Sequence, residues 1–90
     1  MMPLAEGFSA LAEQVERGEP TANITQALSD LTDACHRQAK GEAAGPRRED
    51  LMHVQEALRA WAHVWARLGG QAEFRAAVAR EARLWSRRLA

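Results

Sequence analysis

Leu51, Val54, Leu58, Trp61, Trp65 and Leu68 follow one another at intervals of 3, 4, 3, 4 and 3 residues. At 3.6 residues per turn that spacing lays all six along one side of a helix, whereas a strand would scatter them over both faces. An unbroken stripe of this kind belongs to antiparallel bundles and coiled coils. The same spacing recurs upstream in shorter form. Leu4, Phe8, Leu11 and Val15 stand 4, 3 and 4 apart, as do Ile24, Leu28, Leu31 and Cys35. Downstream, Phe74, Val78, Trp85 and Leu89 share one side of a fourth segment. No stretch alternates apolar and polar residues long enough to read as a strand.

The punctuation between these stripes sets the expected boundaries. Gly18, Gly41 and Gly69 each follow the last periodic residues of a segment, with Arg17 and Lys40 just before the first two. A glycine past a helix and a base in its last turn are the usual C-terminal signals. Asn23 with Gln26 three residues on reads as a capping box, and Pro46 suits a first helical position. The expected fold is therefore all-α: one domain over residues 1–90 with helices at about 4–17, 23–40, 46–68 and 71–89. Three of these are long and the N-terminal one is shorter. The turn at Gly69-Gly70 is short enough to make helices three and four an antiparallel hairpin, and helices one and two plausibly form another. Two hairpins give a small antiparallel helical bundle. Residues 41–48 form the only real loop.

The size of the core bears on function. The chain has 90 residues, 47 % of them hydrophobic, yet 19 of these are alanine and only sixteen are Leu, Ile, Val or Phe. A short chain of closely approaching, alanine-rich helices has a thin interior, and such interiors are often completed by a partner or by self-association. The formal net charge is zero, but the halves differ: residues 1–45 carry seven acids against three bases, and residues 46–90 nine bases against five acids. That polarity permits head-to-tail association and lacks the overall basic charge of a typical nucleic-acid binder. Eleven of the twelve bases are arginine, which together with the alanine content suggests a bacterial source with GC-rich codons.

Several side chains invite functional readings. Trp61 and Trp65 stand one turn apart on the long stripe, and Trp85 lies on the apolar side of the last helix. All three are expected to be core residues that hold the hairpin together; the alternative is that at least one is a partially exposed anchor, since tryptophan is enriched at interface hot spots. Glu81 projects into the same stripe between Val78 and Trp85, where an enclosed carboxylate would need a partner such as Arg88 or Arg59. It is read here as the edge of a polar contact in a complex. Arg80, Arg83 and Arg87 project to the opposite side, as a row able to track phosphates or as an ordinary solvated face near a helix C-terminus.

Other chemistries lack their residues. Cys35, His36, His53 and His63 offer no pair at i, i+4 and no Cys-x-x-Cys or His-Glu-x-x-His, so no metal site and no cofactor is expected. No phosphate-cradling glycine loop, nucleophile motif or paired carboxylates on an apolar face is present, so no enzyme is expected. A single cysteine and the absence of a membrane-length apolar run fit a cytoplasmic protein with no membrane partner. Glu6 and Glu13 stand where a signal peptide would have its basic and apolar regions.

Two functional classes follow. The first is a non-enzymatic protein–protein interaction module (an adaptor, an assembly chaperone or a small subunit of a larger complex) that self-associates as a homodimer or meets another protein through Trp61, Trp65, Trp85 and Glu81. The second is a nucleic-acid-associated small helical subunit that uses Arg80, Arg83 and Arg87.

Overall fold

A computed structural model describes residues 3–90. They form four helices: α1 (Leu4–Glu16), α2 (Thr21–Gly41), α3 (Pro46–Leu68) and α4 (Ala72–Arg88). Among the described residues there is no strand. Each expected stripe points inward. Leu4, Phe8, Leu11 and Val15 are buried, as are Ile24, Leu28, Leu31 and Cys35, and Leu51, Val54, Leu58 and Trp65. Val78 and Leu89 close the set from the C-terminal segment.

The helix ends obey different rules from those expected at three points. First, α2 starts at Thr21, not near Asn23, because Pro20 stands before it with φ −56° and its carbonyl accepts from Asn23 N at 3.0 Å and Ile24 N at 3.2 Å. The Asn23/Gln26 capping box does not form: Asn23 Nδ2 donates back to Glu19 and Gln26 Nε2 donates on to Asp30. Second, of the three terminal glycines only Gly18 is left-handed, at φ 73°. Gly41 is the last residue of α2, and Gly69 is right-handed at φ −63°. Third, Gly69 is needed for space. A Cβ there would stand 2.6 Å from Trp65 Nε1, so glycine lets the indole lie against the turn.

The helix that packs most closely on α4 is α1, and the one most closely on α3 is α2. Small residues explain the first pair: Ala12, Ala79 and Ala82 are buried, and thin side chains allow close axes. Ser86 Oγ donates to the Ala5 carbonyl at 2.6 Å, which leaves it free to accept from Ser9 Oγ at 2.9 Å. Contacts between residues 5 and 86 at one end, and between Val15 and Arg75 at the other, show that α1 and α4 run in opposite directions.

The expected hairpin of α3 and α4 is present at its ends but open along its length. The turn joins them through Gly69–Gln71, and Arg88 reaches Asp50 at 2.9 Å near the start of α3. Between those points the backbones meet at few positions, and aromatic rings occupy the gap. Trp65 and Phe74 lie 5.2 Å apart, with Trp61 and Trp85 half-buried against the same core.

Candidate interaction surface

The three tryptophans have three different environments. Trp65 is wholly enclosed, so no surface of it is open to a partner, and its Nε1 is buried without a hydrogen-bond acceptor. Its ring packs on Phe74 and lies under the guanidinium of Arg75, 5.7 Å from the centroid. Trp61 keeps part of its surface open, and so does Trp85, over which Arg88 sits at 5.2 Å. Glu81 is exposed, outside the apolar stripe in which helical projection places it. Because α4 turns its alanines, Ala79 and Ala82, towards α1, the stripe is rotated and Glu81 falls on its outer edge. Neither expected partner meets it. Arg88 is engaged with Asp50, and among the described residues Arg59 forms no ion pair.

Arg80, Arg83 and Arg87 do come together, around a hollow of about 490 Å³ between α1 and α4 that Arg75, Val15 and Glu16 complete. The hollow is less basic than its four arginines imply. Arg83 pairs with Glu16, which raises the guanidinium's pKa further through that hydrogen bond and charge. Arg75 is spent on the backbone, donating 2.7 Å hydrogen bonds to the Gly69 carbonyl and to the Val15 carbonyl. It thus satisfies the Gly69 carbonyl after α3 and adds a second donor to the Val15 carbonyl of α1, which also accepts from Gly18 N at 3.1 Å. Nothing in the periodicity singles out Arg75. A base in the first turns of a helix, where the macrodipole disfavours it, is the one signal it gives.

Another hollow, of about 610 Å³, lies between α1 and α2. Its floor and walls are apolar and thin: Leu4, Gly7, Ala10, Ala27, Leu31 and Ala34, with Asp30 and Arg37 among the polar residues at its margin. Gly7 makes this shape. A Cβ at that position would stand 2.7 Å from Leu31 Cδ2, so its absence lets α2 present Leu31 against the α1 backbone. A glycine inside a helix costs about 1 kcal/mol relative to alanine. That cost is the only hint of the groove in the sequence, because the alanines around it read simply as good helix formers.

The remaining candidates are quiet. Cys35 is buried in the core, where loss of hydration pushes its thiol up to about 11. Gln55, the one buried polar side chain among the described residues, donates to His36 Nδ1 at 3.3 Å across α2 and α3. Among the described residues no three His, Cys, Asp or Glu side chains are grouped to hold a metal ion. None of their helices is long and apolar enough to cross a membrane.

Compared with protein-family models, curated proteins and solved structures, the chain matches none. The reading of its function rests on its own residues.

Proposed function

We propose that this chain is a non-enzymatic protein–protein interaction module that receives an apolar protein surface in the groove between α1 and α2. The observation that carries this reading is the groove itself, about 610 Å³ with a floor of Leu4 and Leu31 and walls of Gly7, Ala10, Ala27 and Ala34. Such a floor offers dispersion contacts and releases ordered water on being covered, while its shallow, open form suits a helix better than a small substrate. The adaptor, assembly-chaperone and small-subunit roles all use a surface of this kind, and the single buried cysteine is compatible with work in the cytoplasm of a bacterium. The antiparallel bundle behind the groove supplies its rigidity. Trp61, Trp85 and Glu81 form a second, smaller candidate surface on the opposite helices, with Trp65 as its internal support.

A photo-crosslinking residue placed at Ala27, and separately at Glu81, tests this reading in the pure protein at high concentration and in cell extract. Protein crosslinks from position 27 are the expected outcome. Crosslinks from position 81 alone would move the interaction surface to α3 and α4, and none from either would remove the module reading.

The alternative reading, a nucleic-acid-associated subunit, draws on the convergence of Arg80, Arg83 and Arg87 at one hollow. With Arg83 paired and Arg75 bound to carbonyls, two arginines are left for phosphates. Contacts so few give weak binding that vanishes with modest salt. A filter-binding titration in low salt decides it: retention of DNA or RNA that is lost in Arg80→Ala/Arg87→Ala supports the alternative, and no retention excludes it.

A further inference from the structure

We propose that the occupant of the α1/α2 groove is the same groove of a second copy of this chain, the two related by a two-fold axis passing beside Ala34. This rests on the reading of the groove as the interaction surface and goes further by naming the partner. Asp30 and Arg37 both line the groove, and neither forms an ion pair among the described residues. They are seven residues apart on α2, two turns or about 10 Å, too far to pair with one another within the helix. Ala34 lies between them, four residues from Asp30 and three from Arg37. If α2 is laid antiparallel on its own copy about Ala34, each Asp30 stands opposite Arg37 of the second copy. The arrangement is self-complementary, as a two-fold interface requires.

The acidic excess of residues 1–45 does not oppose this contact, because it is directed elsewhere. Glu6 and Glu13 line a depression shared with α4, and Asp33 lines one shared with α3. Glu16 pairs with Arg83, Glu19 with Arg17, and Glu42 with Arg47. Asp30 is the one acid of that half on the groove, balanced there by Arg37.

Small residues supply the remaining requirement. Gly7, Ala10, Ala27 and Ala34 let helices approach closely, and with Leu4 and Leu31 they form the apolar centre between the charged margins. The apolar centre supplies the affinity, and the Asp30–Arg37 pairs fix register and exclude other orientations.

Sedimentation equilibrium of the full chain and of three charge variants tests the proposal, with circular dichroism confirming unchanged helicity; both positions are exposed, so the fold tolerates the changes. Wild type is expected to be a dimer. Asp30→Arg places arginine opposite arginine, and Arg37→Asp places aspartate opposite aspartate, so each alone weakens dimerisation at least tenfold. Mixing the two variants restores a dimer, now a heterodimer with both pairs opposite in sign. The doubly swapped chain, Asp30→Arg with Arg37→Asp, dimerises by itself again. A monomer at every concentration overturns the second copy as occupant, while groove crosslinks to a foreign protein would still uphold the module reading. A dimer indifferent to all three variants also overturns it, by placing the self-contact on another face.

Discussion

Trp65 is the largest side chain fully enclosed in the core. Its place on the stripe predicts burial, and it is wholly enclosed. Its environment, Phe74 beside it, Arg75 above and the bare Cα of Gly69 at its nitrogen, depends on the turn after α3 and on the first turns of α4. Truncating so large an enclosed ring removes its transfer energy and leaves a cavity, so Trp65→Ala is expected to cost about 3–5 kcal/mol. Trp61→Ala and Trp85→Ala, which remove half-buried rings, are expected to cost clearly less. Urea denaturation of the three variants checks the order. Cys35 makes a prediction in pH. Its thiol is pushed up to about 11 in the folded chain, whereas in the unfolded chain it ionises near the ordinary thiol value of about 8.5. A raised folded value means the contribution is complete below about pH 8.5 and is lost as pH rises towards 11. Comparing wild type with Cys35→Ala at pH 8 and at pH 10.5 should show their stability difference shifting against wild type by on the order of 2 kcal/mol. An unchanged difference would mean that the thiol is hydrated.

At the scale of helices, the ends need more explanation than the middles. Proline and glycine mark where each helix stops, but side chains from elsewhere satisfy what is left unpaired. Arg75 is the main case, since it carries two carbonyls belonging to the ends of two different helices. Hydrogen bonds from a charged donor contribute about 1.5–3 kcal/mol each, and the Val15 carbonyl keeps Gly18 N when Arg75 is lost, so Arg75→Ala is expected to destabilise by about 2–4 kcal/mol. Arg75→Lys is expected to recover only part of this, because an ammonium cannot reproduce the forked geometry that spans both acceptors. Thermal melts of the two variants check both statements; equal loss in each would leave the fork without a role. The stripes of α1, α2 and α3 were fully legible by spacing. That of α4 was not, because Glu81 interrupts it and because alanines, not large apolar residues, define the face it turns to α1.

For the molecule as a whole, the order of packing links the two ends of the chain. Because α4 finds its closest neighbour in α1, the C-terminal segment is held by residues sixty or more positions away. The acidic first half and the basic second half meet inside one molecule at Glu16–Arg83, between α1 and α4, and at Glu42–Arg47, around the α2–α3 loop. Part of what the charge asymmetry suggested about partners is thus used internally, with surface pairs of this kind adding at most about 1 kcal/mol each. A chain beginning at residue 19, without α1, is expected to lose cooperative unfolding, since α4 would then expose Val78, Ala79 and Ala82 and keep only its open contact with α3. A cooperative melt near that of the full chain would contradict this.

The number of helices, most of their boundaries and the inward side of each are legible in the residues alone, because they depend on local geometry: the period of the helix, the fixed φ of proline and the burial of large apolar side chains. Tertiary structure decided which helices lie closest, where Glu81 and Arg75 end up, and that a groove opens between α1 and α2. These depend on small residues, on Gly7, Ala12, Ala79 and Ala82, whose effect is to permit close approach. A missing side chain has no periodic signature, and its consequence exists only once a second helix arrives to use the space.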